Sequence, residues 1–340
     1  MTGCVLWYVH DRGRGHLDRA RAVIPLVRAP VVVAAGPGIH ATADEVLDVP
    51  VVRLPSDVPD RPWRTVGPWH HAPAGPALRD RSMALIDAVR RFGCTTAVVD
   101  VSVEVTALAR LLGLRVVTLR QSGYRTDAAH RIGLDSADVV WVPQHRDLEP
   151  IGHDTDRRWV FTGPFSRFDG MMPAGAPRRP VSGRRLVVLM VGRGGTTLDL
   201  DAWRDAHAPA GWRVVIAGSP HHATSCHVDL VGCREPVLPL LAEADVVVTS
   251  AGWAAVADTV AAGARLAVVP EDRPFDEQVV RARALADAGL ATYCAHWPTP
   301  HSLADVLDAT HSQEPERWRR YHDGCGAHRA ATTIDELHAR

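Results

Sequence analysis

The apolar positions of the chain fall into two kinds of run. Short continuous ones, CVLWYV (4–9), VVVAAG (31–36), VVRLP (51–55), TAVVD (96–100), residues 115–119 and DVVWV (138–142), are rich in β-branched residues and too short for helices, so they predict buried strands. Between them, LDRARAVIPLVR and RDRSMALIDAVRRFG repeat apolar residues at helical spacing, the second stopped by Gly93, with further helices predicted over 103–112 and around 126–134. Continuous Val/Leu strands alternating with helices predict a parallel sheet covered on both faces.

After VFTGPF (160–165) the text turns to DGMMPAGAPRRPVSGRR, a Pro-, Gly- and Arg-rich stretch that reads as a linker. Then the pattern restarts. RLVVLMVGRGGTTLDLDAWRDA predicts strand, Gly-rich turn and helix. WRVVIAG (212–218) and VDLVG (228–232) predict strands, EPVLPLLAEA a short helix, and ADVVVTS, a helix over 253–262 and RLAVVP two more units. From 302 onward the chain reads as mostly helical. The expected architecture is α/β: two Rossmann-like, doubly wound parallel-sheet domains facing across a cleft. The first spans 1–165, with a linker at 166–184. The second spans 185–310, and a helical tail follows at 311–340. A length of 340 residues fits two domains.

Composition narrows the field without naming a chemistry. Hydrophobic residues at 46%, charged residues at 23% and a formal net charge of -1 give no global reason to bind nucleic acid or an anionic membrane. All 38 basic residues are arginine, so a phosphate must be held by backbone amides, hydroxyls, His or Arg rather than Lys. The six cysteines lack CxxC spacing, as expected of reduced thiols in a cytoplasmic protein. No apolar run reaches the roughly 18 residues needed to cross a bilayer, so a lipid-linked acceptor would be met by peripheral contact at the inner face of the membrane. His221, His222, Cys226, His227 and Cys233 form the one dense group of soft ligands, at a spacing that matches no zinc pattern, and no metal site is expected.

Ligands of doubly wound sheets bind outside the carboxyl edges of the strands, where helix N-termini present unpaired amides. Three turns lie there. The first, Gly13-Arg14-Gly15-His16, places His16 at a helix N-terminus that favours a neutral imidazole, suited to a general base; Asp11 and Asp100, near strand ends, are further candidate bases. The second, Gly192-Arg193-Gly194-Gly195-Thr196-Thr197, offers amides, hydroxyls and a guanidinium to a diphosphate. The third, Ser250-Ala251-Gly252, opens the helix that carries Trp253 and Asp258, and the following strand ends on Asp276, Glu277 and Gln278, which can serve sugar hydroxyls. On the acceptor side, the Pro-rich loop 55–75 offers Trp63, Trp69, His70 and His71, and Gln121 with Ser122 ends a strand. Neither Gly-rich turn has the third glycine of GxGxxG, and neither second strand ends in an acid, which argues against a dinucleotide cofactor.

The stretch SAGWAAVADTVAAGARLAVVPEDRPFDEQVVRARALADAGLA resembles the nucleotide-sugar signature of GT-B glycosyltransferases, most nearly the MurG-like family that transfers N-acetylglucosamine to a lipid-linked acceptor. GRGH is similar to that family's Gly-rich loop, and FTGPFSR resembles its hinge segment. The resemblance implies a hexose or N-acetylhexosamine moved from a nucleotide-diphosphate sugar, with UDP as the nucleotide, to a hydroxyl of a lipid-linked saccharide or small molecule. It implies that Gly252 and its neighbours take the diphosphate, that Asp258 stands where the family has a ribose-binding Glu, that Glu277 and Gln278 take the sugar, and that His16 faces the acceptor. It also implies metal-independent chemistry without a cofactor beyond the co-substrate, and inverting transfer is the expected course. The strings Asp154-Thr155-Asp156 and Asp199-Leu200-Asp201 therefore read as solvated. Gly13-Arg14-Gly15-His16-Leu17-Asp18-Arg19 also matches GxGHxxR of nucleotide-sugar hydrolases, so hydrolysis or 2-epimerisation on the same fold is the alternative, and a non-catalytic partner subunit a third.

Overall fold

The computed structural model describes residues 3–10, 14–58, 69, 72, 75–149, 158–171, 183–192, 195–218, 223–224, 228–231 and 237–340. Its first half runs β1 (Cys4–Val9), α1 (Gly15–Val23), β2 (Val31–Ala35), α2 (His40–Val46), β3 (Val51–Arg53), α3 (Pro76–Phe92), β4 (Cys94–Asp100), α4 (Val103–Leu111), β5 (Arg115–Leu119), α5 (Ala128–Ser136), β6 (Val139–Val142) and β7 (Trp159–Phe161). The second half runs β8 (Arg185–Met190), β9 (Trp212–Ala217), β10 (Ala223–Thr224), β11 (Val228–Val231), α6 (Leu238–Glu243), β12 (Val246–Ser250), α7 (Trp253–Ala261), β13 (Arg265–Val269), α8 (Glu277–Asp287), β14 (Thr292–Tyr293), α9 (Leu303–His311) and α10 (Gly326–His338).

Among the described residues each half holds one seven-stranded sheet, ordered β3-β2-β1-β4-β5-β6-β7 and β10-β11-β9-β8-β12-β13-β14. Every pairing in the first is parallel, and in the second only β10 runs against its neighbour. The two-residue period of a strand explains why these runs are apolar throughout. Val5, Trp7 and Val9 of β1 enter the core on one face, while Cys4, Leu6 and Tyr8 enter the core on the other. Val246 and Val248 against Val247 do the same in β12. Removing each such side chain from water contributes roughly 1.5–3 kcal/mol. α3 ends where the sequence predicts, at Gly93, whose φ of +62° is the left-handed cap that closes the helix.

One layer of the first half comes from the far end of the chain. Ala327, Ala330, Ala331, Ile334 and Leu337 of α10 complete the core under β1, β4 and α1. Asp335 fixes the docking by accepting the Arg28 amide at 3.0 Å and the Arg28 Nε at 2.9 Å.

The helix expected after the second Gly-rich turn is absent from the described residues. There, 196–200 is irregular and a single 3-10 turn, Asp201–Trp203, follows. The Thr197 amide and hydroxyl are taken by the buried Glu271 carboxylate, and Asp199 Oδ1 accepts the amides of Asp201 and Ala202, which satisfies the donors of a short turn without a helix. Strand order reverses between β1 and β4 in the first sheet and between β8 and β12 in the second. The carboxyl ends of those four strands define the cleft.

Candidate active site

At the first switch point β1 and β4 are in register, Val9 opposite Asp100, so the turn leaving β1 passes over the end of β4. His16 is the second residue of α1, and its Nδ1 lies 3.0 Å from Asp100 Oδ1. Arg19, one turn along the helix, donates Nε to Asp100 Oδ2 at 2.9 Å and Nη2 to Oδ1 at 2.8 Å. Burial alone would raise the Asp100 pKa. The Arg19 charge, then the His16 charge and the hydrogen bonds of both, hold it instead well below the ordinary carboxylate range.

Arg19 Nη2 also approaches His16 Nδ1 to 2.8 Å, and a nitrogen cannot both donate to the carboxylate and accept from the guanidinium. A lone pair on Nδ1 would face a carboxylate oxygen at 3.0 Å and be repelled, so Nδ1 carries the proton and donates to Asp100. Nε2 is then the acceptor. The candidate bases His16 and Asp100 thus form one hydrogen-bonded unit, and Arg19, which the sequence offered only as the last residue of the GxGHxxR match, is its third member. His10, also missed, lies beside it with ring centroids 5.5 Å apart.

The second switch point faces the first directly. A Cβ at Gly15, the first residue of α1, would stand 3.7 Å from the Ala254 Cβ at the start of α7. Gly252 is the N-cap of α7 and no side chain caps it, so its first-turn amides point into the cleft. Between the two helix ends opens a cavity of about 1230 Å³, with Gly15, His16, Arg19, Gly192, Ser250, Gly252, Trp253, Asp258, Glu277 and Gln278 in its wall. Its part inside the first half mixes apolar residues, such as Leu78, Leu85 and Leu134, with polar and charged ones, among them Asp57, Arg81 and Glu104.

The donor-side candidates are held by specific partners. Asp258 is buried, with Oδ1 bonded to Ser166 Oγ and Oδ2 3.5 Å from Arg167 Nε. Those two residues belong to the segment joining the halves. Glu277 pairs across the cleft with Arg125 at 2.8 Å, and Arg125 also stacks over Phe275. Gln278 Oε1 accepts the Glu271 amide at 2.9 Å. The loop 120–125 meets the donor loop through backbone as well, the Tyr124 amide donating to the Phe275 carbonyl at 2.9 Å. Gln121 lies in the cavity wall. Thr196, Asp276 and Trp69 do not reach it: Thr196 Oγ1 caps the Leu198 amide, and Asp276, exposed, opens α8 in the left-handed conformation. Arg193, Gly194 and His70 lie outside the described residues, as do Asp11, Gly13, Trp63, His71, Asp154 and the His/Cys group around 221–233. Among the described residues no group of three or more His, Cys, Asp or Glu is placed to hold a metal ion, and no helix is long and apolar enough to cross a membrane.

Comparison with known proteins now bears on the whole arrangement. Residues 222–331 match the glycosyltransferase family 28 C-terminal domain. No curated protein sequence matches the chain. Among solved structures, the glycotransferase of kitacinnamycin superposes with a TM-score of 0.72 at 18% identity, over 98% of this chain and 99% of that one. The chain has the GT-B fold. Spinosyn rhamnosyltransferase SpnG complexed with thymidine diphosphate superposes with a TM-score of 0.64 at 16% identity, over 99% of this chain and 96% of that one. MurG of Acinetobacter baumannii gives 0.63 at 16% identity, over 98% and 99%.

Proposed function

We propose that the chain is a glycosyltransferase that moves a hexose or N-acetylhexosamine from a nucleoside-diphosphate sugar to a hydroxyl of an acceptor, with inversion. The observation that carries this reading is the juxtaposition of the His16–Asp100 pair with the uncapped N-terminus of α7, in a cleft at the switch points of both sheets. The acceptor hydroxyl loses its proton to His16 Nε2 as its oxygen attacks the anomeric carbon, and the bond to the diphosphate breaks on the opposite face. Asp100 orients the imidazole and stabilises the imidazolium, as in other base-and-carboxylate pairs. Leaving-group charge is met by the α7 amides and nearby arginines rather than by a metal, an electrostatic contribution of a few kcal/mol per well-placed donor.

On the donor side, Glu277 and Gln278 stand where the sugar would lie. Asp258, a buried carboxylate in the cavity wall on the second turn of α7, is the ribose candidate. The family 28 match and the MurG likeness favour UDP, and the SpnG complex favours dTDP. The chamber between α3, α4 and α5, with both apolar and polar residues in its wall, has room for an organic acceptor beside the base, which favours transfer over hydrolysis or 2-epimerisation. A lipid-linked saccharide, met at the inner membrane face of the cytoplasm, is the acceptor the MurG likeness alone would favour.

Substituting His16 by Ala is expected to lower kcat by roughly 100-fold or more with donor affinity unchanged. Unaltered turnover would remove the base assignment. A thermal-shift screen of UDP-, dTDP- and GDP-sugars without acceptor identifies the donor, because a ligand at 100 times its Kd stabilises by about 2.7 kcal/mol. Accumulation of free sugar or an epimer in the same samples would move the protein to the hydrolase or epimerase class.

A further inference from the structure

Arg281, on α8, is 4% exposed, yet among the described residues no carboxylate lies within ion-pairing distance of it. Its Nη1 donates to the Ala251 carbonyl at 3.0 Å, inside the turn between β12 and α7. Its Nη2 donates to Ser122 Oγ at 3.1 Å, across the cleft. The guanidinium carbon stands 3.4 Å from the ring centroid of Trp253, the first residue of α7. Two polar atoms in this stack, Arg281 Nε and Trp253 Nε1, are buried and without a hydrogen-bond partner.

A buried cation held only by neutral acceptors and an aromatic face is a costly arrangement, which proteins ordinarily relieve with an acidic partner. Burial accordingly pushes the Arg281 pKa down. A guanidinium remains protonated in such a setting where an amine would not, so the site carries a standing positive charge. The carboxylates that act on it are Glu277, already bound by Arg125, and Glu149, which pairs with Arg120, while the Arg19 and Arg125 charges oppose them. That charge lies beneath the uncapped end of α7, where the helix dipole also favours an anion.

We propose that Arg281 is a positioning residue for the diphosphate of the donor: stacked on Trp253 and bonded to Ala251, it fixes the β12–α7 turn and supplies from below the counter-charge that the bound anion completes. The inference rests on the donor reading above and goes beyond it by naming which buried cation answers the pyrophosphate and through which contacts. Trp253 then insulates the guanidinium from the cavity while transmitting its field, and the bond to Ser122 is packing between the halves rather than part of the anion site.

The test separates charge from structure by comparing a diphosphate with its own nucleoside. Wild type, R281M, R281Q and S122A, each checked for folding by circular dichroism, are titrated with UDP and dTDP by calorimetry and with uridine and thymidine by NMR. R281M and R281Q are expected to bind the preferred diphosphate about tenfold or more weaker while holding the nucleoside within about twofold. S122A is expected to match wild type. Equal loss of nucleoside and diphosphate, undiminished diphosphate binding in R281Q, or a loss in S122A as large as in R281M would each overturn the assignment. Failure of the wild type to bind either diphosphate would instead overturn the donor reading itself.

Discussion

His16, Asp100 and Arg19 act on one another within 3.0 Å, and the pH behaviour of the protein should show it. Because the folded-state pKa of Asp100 is depressed, its charge contributes stability that is present above the unfolded carboxylate pKa of about 4 and is lost as pH falls below it. Asp100→Asn leaves Arg19 without its buried counter-charge, so urea unfolding at pH 7 should show a loss of about 3 kcal/mol. The gap between wild type and variant should hold down to about pH 4 and narrow below it. A gap independent of pH would show that Asp100 acts by shape and not by charge. The sequence displays Gly15 and His16 openly, since a Gly-rich turn after a strand marks a helix N-terminus. The partnership with Asp100 was legible only as two strand-end residues, because 84 positions separate them and the parallel register that joins them is a property of the sheet. Arg281 left no mark at all: its helical spacing is that of any surface arginine, and it is buried by Trp253, the turn at Ala251 and the 120–125 loop, all distant in the chain.

At the scale of elements, the strands and most helices follow from continuous apolar runs and from glycine or capping signals at their ends. The segment after β8 does not, because its course is decided by Glu271, 74 residues further on, which accepts from Thr197 and from Trp297 Nε1 at 2.7 Å. Burial would raise the Glu271 pKa, and the hydrogen bonds from Trp297, Thr197 and Thr196 lower it. Glu271→Gln would set an amide donor against these donors and is expected to destabilise the second half by roughly 1–3 kcal/mol, read as a lower urea midpoint with the slope unchanged. An unchanged midpoint would mean that the turn needs no anchor. With no α-helix behind that turn, the helix N-termini that open on the cavity in the second half include, among the described residues, those of α7 and α8.

Across the whole molecule, the two halves are locked by a few contacts: Arg125 on Glu277, Ser166 and Arg167 on Asp258, and Gly123 beneath the donor loop. Gly123 has φ +96° and leaves so little room that a Cβ there would stand 2.3 Å from the Phe275 carbonyl oxygen and 3.1 Å from Glu277 Cα. Gly123→Ala is therefore expected to pry the loops apart and to lower kcat/KM by roughly tenfold or more, since about 1 Å of misplacement costs that much or more. The radius of gyration by X-ray scattering should rise with it. Full activity at an unchanged radius would show that these loops do not set the closed state. Such contacts cannot be read from one sequence, because each joins segments whose local patterns are complete without the other.

The docking of α10 under β1 and β4 has a bearing on how the polypeptide is made. As the ribosome extends the chain, the first sheet is made early but stays partly uncovered on the face it shares with α1 and α2. Its missing cover is encoded beyond the entire second sheet. Assembly of the first lobe must therefore wait until the second sheet has been made, and a chaperone or the neighbouring lobe has an apolar surface to shield in the meantime.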